Sequence, residues 1–472
     1  MRQRFTILVL SLTALASAYS LSLGVDAGPT HHSGEIDTNE VWYPSGNPHI
    51  LDSDVFTGDN VTLTIMPGCT VQVSAGVELY TGYANPGSII AVGKADSTIA
   101  FTSLSDTVPG FWAGIGFYAN TTSTARLSYV SIEYAGSSSF MEGAVEVNHR
   151  AIRMDHCTVR DNAKYGVYCG ARGYFDNFSN NTVTTSGEYP IRIEADKVRT
   201  LGAGNVLTGN TRDGILVRGE NVSTTGTWLN HGVPYIIDHD VDIADDTSSP
   251  VLTIAAGTTL KLAPQTEFYI GYGTPGGLVA DGTAGQITFT SSVNPPSPGD
   301  WARLSFYSNS MDSQCQLKNC KVEYGGYDDF GDIYIADCTP TVVGCDIGYS
   351  SAYGIYLNGS EYPDTATLRA NNTFHDYVLG DIRVPGGGVE EHSFGSSRAT
   401  EPANVVRSVL FMPVTSSRGT RSTSLLDISG RNVLDLHPGA NDVRALAPGI
   451  YFLREARARV QAQIARKLLV TR

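Results

Sequence analysis

The sequence predicts an all-β chain whose body is a parallel β-helix, internally duplicated and followed by a small C-terminal β-sandwich. Two nested repeats predict the β-helix, and a change of sequence pattern near Arg398 predicts the β-sandwich. The composition agrees with this fold class. The 472 residues include 50 glycines and 24 tyrosines, and only 17% are charged, which is below the roughly 25% of ordinary soluble domains.

The larger repeat is a duplication of nearly 190 residues. Leu63–Ile65 returns as Leu252–Ile254, and other ordered matches follow at almost the same step of 189 residues. So many matches at one offset do not arise by chance, and they place the starts of two copies near Trp42 and Trp228. The further matching pairs are Tyr80–Tyr83 with Tyr269–Tyr272, Pro86 with Pro275, Ile99–Ser103 with Ile287–Ser291, Trp112 with Trp301, Glu133 with Glu323, and Tyr165–Tyr168 with Tyr353–Tyr356.

The smaller repeat lies within each copy. Short strands opening at Gly143, Gly166, Pro190 and Gly214 follow one another at steps of 23, 24 and 24 residues. Periods of 20–50 residues indicate a solenoid, and the lack of helical segments points to one built from strands. Each turn then buries its inward side chains by stacking on its neighbours. We expect two ladders, one in the core (Val145, Val167, Ile191 and Ile215) and one at a corner (Asn181 and Asn205).

A string of β-sandwiches is the competing fold, because its turn signals recur every 8–12 residues. That arrangement does not explain a 24-residue phase that is held over several steps. We therefore prefer the β-helix.

Three segments of the first copy carry a family resemblance, namely Leu63–Val71, Gly87–Gly93 and Phe111–Phe117. They resemble the repeat start of the right-handed parallel β-helix family, whose fold is shared by pectate lyases, polygalacturonases and many bacterial surface proteins. The resemblance covers about residues 40–395 and is specific for the fold, whereas activity has to be argued from the site.

The two ends of the chain differ from this body. Residues 1–18 combine Arg2 and Arg4, an apolar run and the small-residue site Ala16-Ser17-Ala18, which is the pattern of a secretory signal peptide. No later apolar run is long enough for a membrane span. The predicted segments are a signal peptide at 1–18, a linker at 19–39, β-helix copy one at 40–225, copy two at 226–395, a linker at 396–404 and a sandwich at 405–472.

The last segment reads as short strands separated by Ser-Gly and Pro-Gly turns, hence an antiparallel β-sandwich. Asp427–Arg431, Leu446–Phe452 and the strand around Lys467 resemble the type A C-terminal sorting domain of type IX secretion substrates. The resemblance implies translocation to the surface of a Gram-negative-type bacterium, with the secretion machinery as a partner. The stretch around Leu410–Ser416 is shorter than the family's first strands, so a capping sandwich without a sorting role is the alternative. The motif residues are Gly430, Arg431, Pro448, Gly449 and Lys467.

Charge and cysteine content exclude several functions. The net charge of −15 argues against a nucleic-acid partner, because an acidic body repels phosphates. None of the seven cysteines forms a CxxC pair, which argues against a zinc ribbon or a thioredoxin-like site. We expect these cysteines to be small core residues, while a disulfide such as Cys315–Cys338 stays open.

Outward side chains of the small repeat give the candidate binding site. Because residues alternate inward and outward along a strand, each copy places a tyrosine one turn before an arginine. Aromatic rings and guanidinium groups suit sugar rings and uronate carboxylates, so we expect a polysaccharide or cell-surface glycan as partner. A solvated sheet face is the alternative, since tyrosine is common in strands. The candidate residues are Glu146, Tyr168 and Arg192 in copy one, and Tyr334, Tyr356 and Arg383 in copy two.

Signatures of catalysis are weak. A Ca²⁺-dependent lyase would need carboxylates beside a basic residue, for which Asp328, Asp329 and Asp332 near Arg383 are the candidates. Asp238, Asp240 and Asp242 are a second set, but neither set has a spacing that names a metal, and no cofactor is evident. We therefore expect a secreted or cell-surface protein that binds glycan or is adhesive without catalysis. The alternatives are a polysaccharide lyase or hydrolase acting on uronate-rich glycans, and a purely structural envelope protein.

Overall fold

The structure is a computed structural model that describes residues 28–136, 141–385, 405–406, 409–412, 422–429, 431–437, 439–456 and 464–470. The predicted signal peptide at 1–18, the predicted linker at 396–404 and Gly430 lie outside these residues. The chain forms two compact units, residues 1–387 and 388–472.

The first unit is a parallel β-solenoid of about 13 turns. Strands from successive turns pair in parallel, so that each turn lies on the one before it. In the first half these strands are β1 (Thr30–Ile36), β2 (Glu40–Trp42), β3 (His49–Thr57), β4 (Val61–Ile65), β5 (Thr70–Val73), β6 (Glu78–Thr81), β7 (Gly87–Val92), β8 (Ile99–Ser103), β9 (Gly114–Phe117), β10 (Arg126–Ser128), β11 (Val130–Glu133), β12 (Gly143–Val147), β13 (Ala151–Asp155), β14 (Thr158–Asn162), β15 (Tyr165–Cys169), β16 (Tyr174–Ser179), β17 (Thr182–Ser186) and β18 (Ile191–Glu194).

The second half continues the solenoid and ends at residue 385 of the described chain. Its strands are β19 (Ile215–Arg218), β20 (Asn221–Val222), β21 (Gly226–Trp228), β22 (Tyr235–Ile237), β23 (Val241–Ile243), β24 (Val251–Ile254), β25 (Thr259–Leu262), β26 (Glu267–Ile270), β27 (Gly277–Asp281), β28 (Ile287–Ser291), β29 (Arg303–Phe306), β30 (Gln316–Lys318), β31 (Cys320–Glu323), β32 (Ile333–Ala336), β33 (Thr341–Val343), β34 (Asp346–Gly348), β35 (Tyr353–Asn358), β36 (Thr373–His375) and β37 (Gly380–Arg383). The described helices are α1 (Thr365–Asn371) and four 3-10 turns, Pro44–Gly46, Ala195–Thr200, Gly282–Ala284 and Asp312–Gln314.

The predicted core ladder is confirmed. Val145 lies beside Val167, which lies beside Ile191, which in turn lies beside Ile215. All four side chains are completely buried. At roughly 1.5–3 kcal/mol for each buried aliphatic side chain, such ladders stabilise the stack of turns, which no single turn could achieve alone.

The predicted corner ladder is confirmed as well. The backbone N–H of Cys157 donates to Asn181 Oδ1 at 2.9 Å, and the N–H of Asn181 donates to Asn205 Oδ1 at 3.0 Å. The left-handed backbone conformation at this corner belongs to the preceding residue, Asn180, with φ of 57°. Asn181 itself is fully buried, and its Nδ2 donates to the Met154 carbonyl of the preceding turn at 2.9 Å.

Equivalent hydrogen bonds support the duplication. The indole of Trp112 donates to the Glu133 carbonyl at 2.7 Å, and that of Trp301 donates to the Glu323 carbonyl at 2.8 Å. All seven cysteines are buried and carry free thiols, as expected for core residues. Strand β1 pairs with β3, so the predicted linker at 19–39 contains the first strand of the solenoid.

The second unit contains a small antiparallel sheet. Leu425, Leu436 and Tyr451 form its buried cluster. Strands β40, β41, β43 and β44 pair in antiparallel fashion, β39 pairs with β42, and β38 adds to β44 in parallel. The strands of this unit are β38 (Val405–Val406), β39 (Val409–Met412), β40 (Ser422–Leu426), β41 (Asn432–Leu436), β42 (Gly439–Asp442), β43 (Gly449–Ala456) and β44 (Ile464–Val470).

Candidate functional site

In copy one the outward positions form a single ladder across five strands. Tyr80 lies beside Gly116, Gly116 beside Glu146, Glu146 beside Tyr168, and Tyr168 beside Arg192. We call these five residues the copy-one ladder. Its last two members are the tyrosine and the arginine that the sequence places one turn apart.

In copy two the equivalent positions also form a ladder. Tyr269 lies beside Ser305, Ser305 beside Tyr334, Tyr334 beside Tyr356, and Tyr356 beside Arg383. We call these the copy-two ladder. The structure thus brings together the three residues of copy two that the sequence singles out.

Both ladders end in the same tyrosine–arginine stack. The guanidinium of Arg192 lies 4.6 Å from the ring centroid of Tyr168, and that of Arg383 lies 4.2 Å from that of Tyr356. These distances fall within the range of cation–π contacts. The tyrosines and arginines of both stacks are half-buried, so one side of each pair faces solvent.

The arginine heads are oriented in the same way in the two copies. Arg192 Nη1 donates to the Cys169 carbonyl at 3.3 Å, and Arg383 Nη1 donates to the Leu357 carbonyl at 3.1 Å. A carbonyl oxygen holds the guanidinium in place but does not neutralise its charge. Each stack therefore combines an aromatic ring with an arginine whose charge the carbonyl leaves in place, and a guanidinium of this kind suits an anion.

In copy two the stack extends into a continuous aromatic strip. Ring centroids are 6.0 Å apart for Tyr269 and Tyr307, 5.5 Å for Tyr307 and Tyr334, and 5.8 Å for Tyr334 and Tyr356. Four strand spacings separate β26 from β37, so the strip together with Arg383 is about 19 Å long. The aromatic rings that flank it are Tyr272, Phe330 and Tyr353.

Tyr334 takes part mainly in packing. Only 9% of its surface is exposed, because Phe330 packs edge-on against its ring at 5.5 Å. Its hydroxyl accepts a hydrogen bond from Asn358 Nδ2 at 2.8 Å. Within the copy-two ladder, Tyr356 and Arg383 are therefore more available to a ligand than Tyr334.

A buried ion pair lies under the strip, and sequence reasoning missed it. Glu267 is 3% exposed and meets Arg303 Nη2 at 2.8 Å, while Ser305 and Tyr307 donate their hydroxyl protons to the same carboxylate. Burial raises the pKa of the Glu267 carboxyl, and Ser305 and Arg303 oppose that rise. Glu267 and Arg303 precede Tyr269 and Ser305 by two residues and so share their outward face. The alternation of inward and outward residues along β26 and β29 was the sequence signal that could have revealed this ion pair.

In copy one the strip is interrupted. Tyr80 and Tyr118 keep their rings 5.9 Å apart, but Glu146 takes the place of the next ring and is 6% exposed although it occupies an outward position. Its carboxylate accepts the Glu142 N–H at 3.0 Å and the Asn148 amide at 2.6 Å. Of the three residues predicted for this copy, Glu146 is thus held by local hydrogen bonds, whereas Tyr168 and Arg192 form the stack.

A second carboxyl, Glu78, borders the gap at Gly116. Tyr118 donates its hydroxyl proton to Glu78 Oε1 at 2.7 Å. Burial raises the pKa of the Glu78 carboxyl to about 7, and Glu146 adds to the rise. A Cβ at Gly116 would lie 2.5 Å from Glu78 Oε1, so this glycine leaves the room that the carboxyl occupies.

The predicted cluster of Asp328, Asp329 and Asp332 does not assemble. The first two are exposed, whereas Asp332 is completely buried just before β32, where a Cβ on Gly325 would lie 2.7 Å from its Oδ1. Across residues 28–136, 141–385 and the described parts of the second unit, no three His, Cys, Asp or Glu side chains come together as metal ligands, and this includes the set at Asp238–Asp242.

The residues of the predicted sorting motif lie in the second unit. Arg431 is exposed, and both its backbone N–H and its Nε donate to Asp427. Gly449 opens β43 after Pro448, and Lys467 in β44 pairs with Phe452 across the sheet.

Comparison of the chain with protein-family models, with curated proteins and with solved structures finds no match. Within the described residues, the structure has no helix that is long and apolar enough to cross a membrane.

Proposed function

We propose that this protein is a secreted or cell-surface solenoid that binds uronate-rich polysaccharide without catalysis, through its two tyrosine–arginine stacks. The observation that carries the proposal is the recurrence of one geometry. In both copies an arginine lies over a tyrosine at 4.2–4.6 Å and donates to the carbonyl of the preceding turn.

The chemistry of the stack suits an acidic sugar. A tyrosine ring offers a flat apolar face together with a polar edge, and it loses little conformational entropy on binding. A guanidinium offers a planar fork of donors that matches a carboxylate. The net charge of −15 would repel an acidic polymer from most of the surface, so binding would concentrate where an arginine is fixed and not neutralised.

The test is retention on uronate polymers by affinity electrophoresis. We expect Arg192→Ala and Arg383→Ala each to weaken retention, and the four-fold variant with Tyr168→Ala and Tyr356→Ala to lose it. A charge-assisted hydrogen bond to a carboxylate contributes about 1.5–3 kcal/mol, so each single arginine change should weaken binding at its own site roughly ten- to hundredfold.

Matched controls are available on the same solenoid. Arg150 is exposed and also donates to a backbone carbonyl, that of Ala119, but it belongs to neither ladder. Tyr43 is 54% exposed and likewise lies outside both. Arg150→Ala and Tyr43→Ala should leave retention unchanged. If the four-fold variant is retained as well as the unaltered protein, the proposal fails.

We further propose that the second unit directs export to the outer surface of a Gram-negative-type bacterium. Its antiparallel strands and the turn that Asp427 caps through Ser429 and Arg431 support this role. Deleting residues 405–472 should shift the protein from the medium or outer surface to the periplasm, as measured by cell fractionation. Unchanged export of the truncated protein would contradict this role.

A polysaccharide hydrolase is a second candidate, and one specific observation favours it. Glu78 and Glu146 face the gap at Gly116, and burial raises the pKa of both carboxyls, that of Glu78 to about 7. A carboxylic acid that stays protonated near neutral pH can act as a general acid. Release of reducing ends from acidic or neutral glycans, and its loss in Glu78→Gln, would support this activity. Absence of product across both glycan classes would exclude it at this gap.

A further inference from the structure

The two ladders lie on different sides of the solenoid, and the change of side occurs at the junction between the copies. Arg192 ends the copy-one ladder, and the residues that pair beyond it on the same side of the solenoid are Leu216, Ile236 and Lys261. Lys261 corresponds by the duplication to Gln72, which lies on a different face of copy one from Tyr80. The ladder of copy one therefore does not run on into the ladder of copy two.

The copy-two ladder belongs to a separate sheet. It begins at β20, where Asn221 lies beside Asp242, and Asp242 then lies beside Tyr269. Strand β20 packs against the 3-10 turn Ala195–Thr200, which itself packs against β16. Strand β16 belongs to the six-stranded sheet of copy one. The ladder tyrosines of copy one, Tyr80 and Tyr168, lie instead on the nineteen-stranded sheet. Copy two is thus turned by one side of the solenoid relative to copy one.

The two stacks are also far apart along the axis. Seven strand spacings separate β18 from β36, the neighbour of β37 in the same turn, which corresponds to about 34 Å. The core ladder runs without a break through the junction, from Ile191 to Ile215, Tyr235 and Leu260. The orientation of the two stacks is therefore fixed by a continuous core and not by a hinge.

We propose that the two stacks bind two separate uronate-rich chains, so that one protein molecule cross-links them. This inference rests on the proposed glycan binding. A straight chain lying along one side of the solenoid would contact only one stack, because the other faces a different side. A short soluble oligomer can occupy only one of the two sites at a time, so its affinity is that of a single site. On a dense polymer both sites can be occupied together, which increases the overall affinity through avidity.

The experiment uses the full chain with short uronate oligomers and with uronate-coated beads. We expect two equivalents of oligomer per protein by calorimetry, and aggregation of the beads by protein that is monomeric in light scattering. Arg192→Ala and Arg383→Ala should each leave one equivalent and reduce bead aggregation at least about tenfold, since cross-linking needs both sites. Arg150→Ala is the matched control and should aggregate beads normally.

Different failures lead to different conclusions. Binding of two equivalents without bead aggregation, or a single equivalent in the unaltered protein, would overturn cross-linking and leave glycan binding intact. Aggregation that persists in the single-site variants would assign it to self-association and would also overturn the inference. No oligomer binding at all would instead overturn the proposed function on which the inference rests.

Discussion

At the centre of its outward ladder, copy one carries Gly116 and Glu146 where copy two carries Ser305 and Tyr334. Glu146 interrupts the aromatic strip, whereas Tyr334 continues it with ring centroids 5.5 Å from Tyr307 and 5.8 Å from Tyr356. The inward residues differ much less. Trp112 and Trp301 are both fully buried and make the same hydrogen bond one turn away.

The contrast shows where the fold constrains the sequence. An inward side chain must fill the space between its neighbours in the adjacent turns, and even a one-methylene change is felt there. An outward side chain contacts solvent on one side and is free to change. The two faces have accordingly diverged into a continuous strip in copy two and into a gap bordered by Glu78 and Glu146 in copy one.

The largest expected effect comes from removing one core tryptophan from each copy, which tests whether the two copies have equivalent cores. Trp112→Ala and Trp301→Ala should each lower the free energy of unfolding by about 3–5 kcal/mol, because both remove a fully buried indole and leave a cavity. Denaturant unfolding measures the loss, and amide hydrogen exchange locates it. We expect exchange to increase mainly in the altered copy, since solenoid turns interact with their neighbours.

Phenylalanine variants at the same two positions provide the control. Trp112→Phe and Trp301→Phe keep most of the volume and should cost much less, roughly the 1–3 kcal/mol of a carbonyl left without its donor. Losses that differ between the copies by more than about 2 kcal/mol would show that the cores are not equivalent.

The sequence predicted the fold well because inward positions repeat. The core ladder from Val145 to Ile215 and the bond between Asn181 and Asn205 both follow from a 24-residue phase. The Tyr356–Arg383 stack follows from the same phase and from strand alternation. The 24-residue phase does not predict what a position does where its residue departs from the repeat.

Three features of the site required the structure. The burial of Asp332 depends on the Gly325 turn, and the ion pair between Glu267 and Arg303 depends on contacts between turns. The change of side at the junction depends on how the chain passes through Ala195–Thr200, a 3-10 turn that packs against β16 and β20. Each of these arises where the two copies differ, and repetition gives no information there.

The second prediction exchanges one residue between the copies. Asp332 occupies the position of Ala144 and is completely buried, with the Gly325 backbone and the Ser350 side chain as the groups that contact its carboxyl. We expect Asp332→Ala to raise the free energy of unfolding at neutral pH by roughly 1–3 kcal/mol, because it removes a carboxyl whose burial costs more than its contacts with Gly325 and Ser350 return. Ala144→Asp should lower it by a similar amount.

The sign of the pH dependence follows from the pKa. Burial raises the pKa of Asp332 well above its ordinary value. Above about pH 4 an unfolded aspartate ionises while the folded one stays protonated, so the original protein loses stability as pH rises towards the folded pKa. The advantage of Asp332→Ala should therefore grow with pH from about 4 upwards. A constant difference across that range in denaturant unfolding would contradict a raised pKa.

The smallest expected effect concerns the glutamate beside each ladder, Glu78 in copy one and Glu267 in copy two. Gly114 stands in copy one where Arg303 stands in copy two, and the pKa of Glu78 there rises to about 7. Arg303 lies 2.8 Å from Glu267 and lowers the pKa of that carboxyl, although Ser305 lowers it more. Arg303→Ala should therefore raise the pKa of Glu267 further, towards that of Glu78.

Carbon-13 NMR titration of the glutamate carboxyls measures this shift, with Glu267→Gln to assign the resonance. Arg383→Ala is the control, because Arg383 contacts Tyr356 and the Leu357 carbonyl and should leave the Glu267 midpoint in place. If the midpoint rises in Arg303→Ala alone, the guanidinium that copy one lacks accounts for part of the difference between the two carboxyls. If it does not rise, Ser305 and burial govern the pKa of Glu267, and the two copies differ through packing and not through charge.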